Sequence, residues 1–183
     1  MPNPKTTHTN SEVISDPHLL DQVAEEKLAY MHKFAKSSTM ATILAPILCV
    51  PLYIGETDGL LFDAWFLLMA LAVTIRIFLV QAIDLKGEKS RNFTLLNWAV
   101  GMVTFVWGIG WLILVPALDP INYLIYQIIS LTVLFVGMVG YCVHWRTFFC
   151  FVLPLKIPEV FFIIIYYKII IWPIALGSLV VFY

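Results

Sequence analysis

The chain has 183 residues, of which 61% are hydrophobic and 13% charged, and its formal net charge is −1. A soluble domain carries about 45–50% apolar and about 25% charged residues, because its surface must remain polar however large its core becomes. The composition therefore predicts an integral membrane protein in contact with the lipid bilayer, and the near-neutral charge gives no sign of a nucleic-acid partner.

The N-terminal part of the chain holds most of its hydrophilic character. Residues 1–16 are rich in Pro, Ser, Thr and Asn, which predicts a disordered cytoplasmic tail. In residues 17–36 apolar side chains recur at helical spacing, at Leu20, Ala24, Leu28, Met31 and Ala35. This pattern predicts a cytoplasmic amphipathic helix on the inner membrane surface or against a partner, and it equally allows a helical run-in to the first span. We expect His8, His18 and His32 to be solvated.

Apolar runs close to the ~20 residues of a spanning helix follow this segment. They occupy residues 37–55, 60–82, 95–116, 121–143 and 147–167. A sixth run starts near Ile169 and has 15 residues up to Tyr183, so we expect the sixth helix to be incomplete and the chain to be a fragment. The predicted fold is an all-α integral membrane protein with a six-helix transmembrane bundle over residues 37–183. One long tilted helix from Ile157 to Tyr183 would leave five spans.

Positive residues near the ends of the spans indicate the orientation. Those on one side are Lys27, Lys33, Lys36, Lys86, Lys89, Arg91 and Arg146, whereas Lys168 stands alone on the other. We therefore expect a multi-pass protein with a cytoplasmic N-terminus. Three tryptophans then mark the outer interface, namely Trp65, Trp111 and Trp172. Trp98 and Trp145 mark the inner interface, and Trp107 is deeper.

Two charges interrupt the fifth apolar run, FVLPLKIPEVFFIII (151–165). Lys156 lies ~15 Å into the span at ~1.5 Å per residue, and Glu159 is three residues on, so the two side chains can pair. Pro154 and Pro158 cannot donate to the carbonyls four residues before them, and free carbonyls need a donor inside a membrane. We expect Lys156 or a neighbouring helix to supply it, on a face inside the bundle beside a polar cavity.

Two interpretations of this charged helix stay open. It is either a sensing or gating element, as intramembrane charges commonly are, or an internal salt bridge that fixes packing. Arg76, about one and a half turns from the inner end of the second span, can snorkel to the interface. The candidate sensing or ligand residues are Lys156, Glu159, Pro154, Pro158, Arg76 and Trp107.

The sequence carries no pattern typical of a catalytic site. It has no Gly-rich phosphate loop, no Ser/His/Asp set and no HExxH motif. Cys142, His144 and Cys150 do not complete a metal-binding pattern. We therefore predict no catalytic residues, no metal and no cofactor in this chain.

A series of motifs resembles a known family. The order is FVWGIGW (105–111), Pro116, FVGMVG (135–140) and RTFFCFVLPLKIP (146–158). It resembles the six-span N-terminal regions of bacterial signalling proteins, which precede a cytoplasmic diguanylate cyclase (GGDEF) or histidine kinase domain. The matching features are Trp107-Gly108 in the third span, small residues from Gly137 to Gly140 in the fourth, and Pro154 with Pro158 in the fifth. The family pattern assigns no role to the charges of the fifth span.

The resemblance implies a sensor in the bacterial inner membrane, in two-component or cyclic-dinucleotide signal transduction. Its implied partners are a second copy of the chain and a C-terminal output domain after Tyr183. The alternative hypothesis is a small transporter or channel that uses Lys156 and Glu159.

Overall fold

The computed structural model describes residues 17–53 and 59–167. The predicted tail of residues 1–16 and the predicted sixth span from Ile169 lie outside the described residues. Within these two ranges all regular structure is helical. The α-helices are α1 (Pro17–Ser37), α2 (Thr39–Tyr53), α3 (Gly59–Gln81), α4 (Lys89–Ile113), α5 (Pro120–Tyr141) and α6 (Trp145–Tyr167).

Five helical segments are long and apolar enough to cross a membrane. They are α3, α4, α5, α6 to Ile165, and the joined segment Pro17–Tyr53 that contains α1 and α2. The prediction of an all-helical chain with membrane-length apolar helices is confirmed, and its first five apolar runs coincide with helices. The sixth run falls outside the described residues, so six spans remain a prediction.

The backbone passes from α1 to α2 with helical hydrogen bonds. Ser38 N–H donates to Phe34 O at 2.8 Å, and Thr42 N–H donates to Ser38 O at 3.0 Å. Of the predicted apolar stripe of α1, only the C-terminal members Leu28, Met31 and Ala35 are fully buried. This continuity favours the helical run-in over a separate helix lying on the membrane surface.

The expectation that His32 is solvated is wrong. Its ring is buried, and Nε2 lies 3.0 Å from Val80 O. Val80 is in the last turn of α3, where backbone carbonyls lack an intrahelical partner. Because a carbonyl oxygen only accepts, the imidazole donates this bond and ties α1 to the end of α3.

Helix α4 is the central helix of the bundle. In its apolar stretch 56% of the residues are buried, against 33% or less in the other four segments. It packs mainly against α3 and α6. Trp65 and Trp111, predicted to mark the outer interface, are enclosed by protein, with Trp65 Nε1 donating to Val106 O at 2.9 Å. Trp98 and Trp145 are more than 60% exposed, as membrane-interface residues would be.

Two turns show why the spans begin where they do. Asp119 Oδ1 accepts from Asn122 N–H at 2.7 Å, and Pro120 opens α5, which is a preferred N-terminal combination. Helix α4 begins at Lys89, before the apolar run predicted over residues 95–116. Its polar first turns carry no hydropathy signal, and there Lys89 pairs with Asp21 of α1 at 3.2 Å.

Candidate functional site

The charged pair of α6 is formed and enclosed. Lys156 Nζ lies 2.6 Å from Glu159 Oε2, and the two side chains are 14% and 7% exposed. Glu159 continues the buried stripe of α6 formed by Phe151, Leu155 and Phe162. The predicted pairing is confirmed. It explains how an apolar helix tolerates two charges, because each neutralises and hydrogen-bonds the other.

The carbonyls left free by the α6 prolines face α4. Thr104 Oγ1 donates to Cys150 O at 3.3 Å. The carbonyl of Pro154 lies so close to Gly108 that a Cβ on that residue would overlap the oxygen. Helix α4 therefore supplies a donor to the Cys150 carbonyl, as one of the two predicted sources, whereas it meets the Pro154 carbonyl only through the close approach of Gly108. Lys156 bonds Glu159 instead. Close approach through small residues is a usual way for membrane helices to pack.

Arg76 does not reach water. Its side chain lies at the α1–α2 junction and the residue is only 5% exposed. Nη2 donates to Ala35 O at 3.1 Å, to Ser38 Oγ at 2.8 Å and to Tyr141 OH at 3.4 Å, and Nη1 donates to Thr42 Oγ1. The buried Nε has no hydrogen-bond partner. The expectation of a snorkelling arginine is therefore wrong, because protein groups enclose the guanidinium.

A cavity of about 380 Å³ lies beside this guanidinium. Residues of α2 and α5 form its sides, and α4 contributes its floor with Val103, Thr104 and Trp107. The polar groups beside Arg76 in the wall are the hydroxyls of Ser38, Thr42 and Tyr141, and most of the remaining wall is apolar. We call this space the Arg76 cavity. Neither Lys156 nor Glu159 lines it, so it is not the polar cavity predicted beside the charges of α6.

Trp107 connects the Arg76 cavity with an aromatic cluster. Its Nε1 donates to Ser130 Oγ at 3.3 Å, and Ser130 also accepts from Trp111 Nε1 at 3.3 Å. The Trp107 ring stacks on Tyr126 at a centroid distance of 5.9 Å. Trp107 is 3% exposed, so the prediction of a deep position is confirmed. An indole held by two helices makes a rigid part of the cavity wall.

The polar partners of Arg76 were missed by sequence reasoning. Ser38, Thr42 and Tyr141 come from the start of the first span and the end of the fourth. Depth in the span is the signal that could have found them. An arginine inside an apolar run needs hydrogen-bond acceptors, and these hydroxyls stand within two turns of the same end of the predicted spans as Arg76. Which hydroxyl meets the guanidinium depends on helix rotation, which the apolar runs do not specify.

A second polar cluster lies at the start of α6. His144 Nδ1 accepts from Thr147 N–H at 3.3 Å, so the imidazole caps the helix. Thr147 Oγ1 bonds Asn97 Oδ1 at 2.6 Å, and the His144 ring stacks on Phe93 at 4.4 Å. Burial lowers the pKa of His144 from its ordinary value of 6.5, and the cations Arg146 and Lys27 lower it further.

The capping contact of His144 should make the stability of the folded chain depend on pH. A folded-state pKa below 6.5 means that the unfolded chain binds more protons, so stability is complete above pH 6.5 and falls as the pH drops toward the folded-state pKa. His144→Asn keeps a capping acceptor that does not titrate in this range. We expect the melting temperature of the parent chain to fall more between pH 7.5 and 5.5 than that of the variant, by an amount that solvent screening of the partly exposed ring keeps small. Thermal unfolding followed by circular dichroism measures it, and equal pH profiles would contradict the capping role.

The two intramembrane sites differ in charge balance. The α6 pair is neutral as a unit, whereas the Arg76 cavity presents a cation with neutral oxygens around it. In the described residues no group of three or more His, Cys, Asp or Glu side chains is placed to hold a metal ion. Chemically, the first arrangement can fix a helix, and the second can attract an anion. Comparison of the chain with protein-family models, with curated proteins and with solved structures found no match.

Proposed function

We propose that this chain is the membrane-embedded input region of a bacterial signal-transduction protein, which passes a stimulus through α6 to a cytoplasmic output domain. The observation that supports it best is the contact between α4 and α6. Pro154 and Pro158 remove two internal hydrogen bonds from α6 at the place where Gly108 brings the two backbones together. A helix weakened in this way bends at low cost.

The position of this weak point matters for relay. In the proposed relay, α6 and the residues after Tyr167 connect the bundle with the output domain. A small change in how α4 packs on the free carbonyl of Pro154 would alter the direction of α6 beyond it. Switching transitions of this kind amplify small packing changes into movements of whole helices.

The proposal includes a topology and an assembly. The N-terminus is cytoplasmic, the residues from Ile169 begin a sixth span, and the protein resides in the bacterial inner membrane as a homodimer. The basic residues that support this orientation include Lys27 and Lys36 on α1 and Lys89 at the start of α4. The output domain is a diguanylate cyclase or a histidine kinase, as the resemblance of the third to fifth spans implies.

The test begins with the reading frame beyond the codon of Tyr183. We expect a short linker that leads into a GGDEF or kinase domain. In the full-length protein, Gly108→Ala should change the basal cyclase or kinase activity at least severalfold, whereas the matched variant Gly101→Ala should leave it unchanged. A stop codon directly after Tyr183, or equal activities of the two variants, would contradict the relay.

A small transporter or channel is the second candidate, and it is supported by the intramembrane charges alone. The close contact of Lys156 with Glu159 leaves little net charge to offer a substrate. Substrate uptake into proteoliposomes by this chain, abolished by Lys156→Met, would favour transport over relay.

A further inference from the structure

Arg76 is a buried cation without a counter-ion among the described residues. The residues that accept its hydrogen bonds are Ala35, Ser38, Thr42 and Tyr141, through carbonyl and hydroxyl oxygens. A guanidinium stays protonated at any physiological pH, so it cannot escape the charge by losing a proton. Neutral acceptors solvate the group without cancelling its charge, and an uncompensated charge inside a membrane span is unfavourable.

The guanidinium also has unused donors. It carries five N–H bonds; Nη1 makes one hydrogen bond and Nε makes none. Nε is fully enclosed by protein, so the free N–H of Nη1 is the donor left for a ligand, and a negatively charged oxygen accepts from such a donor more strongly than a neutral one. Among the described residues, the Arg76 side chain therefore lacks a counter-ion and a hydrogen-bond partner for part of its N–H groups.

The space beside it fits the rest of an amphiphilic ligand. The Arg76 cavity, at about 380 Å³, falls in the range of about 300–1,000 Å³ typical of small-molecule sites. Its rim contains exposed apolar residues of α2 and α5, among them Leu44, Leu48, Ile128 and Val136. Among the described helices, the cavity thus opens between α2 and α5 onto an apolar outer surface, which is the side a lipid-dissolved molecule would approach.

The polar groups of the Arg76 cavity lie near one end of the helices, and its apolar residues lie farther from that end. Arg76 is five residues before the end of α3, so it lies about 7–8 Å from that inner end at ~1.5 Å per residue. Tyr141 is the last residue of α5, and Ser38 stands at the α1–α2 junction. Leu48 and Ile128 lie farther from the same end. This matches a molecule in the inner leaflet, with its head near the interface and its chain toward the membrane centre.

We propose that the Arg76 cavity binds a single-chain anionic amphiphile, with its oxyanion on the Arg76 guanidinium and its acyl chain between α2 and α5. The common chemistry is a carboxylate or phosphate on one hydrocarbon chain, supplied by a fatty acid or by a lysophospholipid. Binding of this kind does not depend on the proposed relay. If the relay operates, such a ligand is a candidate stimulus.

The test uses the intact chain in phosphatidylcholine nanodiscs and mid-chain dibrominated stearate as the probe. Bromine quenches nearby indoles, and Trp107 lines the cavity floor. We expect a saturable loss of tryptophan fluorescence that the uncharged methyl ester of the same chain does not produce. Trp107→Phe should remove the saturable component, leaving the linear quenching of exposed residues such as Trp98. A dibrominated lysophosphatidate distinguishes a phosphate preference from a carboxylate preference.

Two variants examine the head and chain contacts separately. Arg76→Gln keeps hydrogen-bond donors but removes the charge, and it should weaken the apparent affinity about tenfold or more. Ala41→Phe fills the exposed rim without touching the guanidinium, and it should abolish saturation. Retained helical circular dichroism and a single gel-filtration peak verify folding of each variant.

Each outcome decides the proposal. Equal quenching by stearate and its methyl ester, or unchanged affinity in Arg76→Gln, would overturn the assignment of the oxyanion. Saturable quenching that persists in Ala41→Phe would place the chain outside the cavity. If Arg76→Gln does not fold, the comparison of acid with ester and the Ala41→Phe variant still test the site. None of these results depends on an output domain, so the relay fails or stands independently.

Discussion

Replacing Gly108 by alanine should destabilise the bundle by about 3 kcal/mol or more, at the upper end of the cost of overpacking a core. The added Cβ would overlap the carbonyl oxygen of Pro154, and it would also come within 3.0 Å of Pro158 Cγ. Backbone atoms cannot rotate away as a side chain can, so α4 and α6 must move apart. Their separation would also strain the hydrogen bond from Thr104 to Cys150 O. Denaturation in sodium dodecyl sulfate, followed by tryptophan fluorescence, measures the loss.

Gly101→Ala is the matched control for this prediction. Gly101 is on the same helix and faces the same partner helix, but its Cβ would stand 3.6 Å from Cys150 O, an ordinary contact. We expect a change within about 0.5 kcal/mol, or a small gain because alanine favours helix over glycine. Equal losses in Gly101→Ala and Gly108→Ala would show that the close approach to Pro154 does not hold the helices together.

The positions of the helices were largely predictable from the apolar runs. Residues 60–82 were predicted for a helix that spans Gly59–Gln81, and residues 147–167 for one that spans Trp145–Tyr167. The agreement has a physical cause, since a membrane span must be apolar over its whole length and loops outside it need not be. The early start of α4 was missed for the same reason: a helix that projects from the membrane has a polar first turn that hydropathy does not detect.

The contacts of the α6 pair could be predicted from the sequence, whereas those of Arg76 could not. Lys156 and Glu159 are three residues apart on one helix, so their pairing follows from local geometry. The contacts of Arg76 join residues more than thirty positions apart, such as Thr42 and Tyr141, and depend on how four helices are rotated. Burial of Trp65 and Trp111 was missed similarly, because an indole near a span end suits either the interface or the bundle interior. The resemblance to signalling proteins stays a prediction.

Removing one charge of the α6 pair should be far more damaging than removing both. Glu159→Leu leaves the Lys156 ammonium in an enclosed site without its carboxylate, and we expect a loss of about 3–5 kcal/mol. Lys156→Met should have a comparable effect. In the double variant no charge remains, and replacement of a buried pair by apolar side chains of similar size is often neutral or stabilising. The unfolding free energies of the parent, the two single variants and the double variant in detergent micelles form a double-mutant cycle.

The exposed pair of Lys89 and Asp21 supplies the control for this cycle. Its side chains are 31% and 74% exposed, so Lys89→Met should cost no more than about 1 kcal/mol. If the α6 double variant is as unstable as the singles, the pair is required for the packing of α6. If the double variant regains the parent stability, an apolar α6 would fold equally well, and a structural reason for Lys156 and Glu159 disappears. The pair would then have to matter for what α6 does in the membrane, and the output of the full-length double variant is where that effect should be measured.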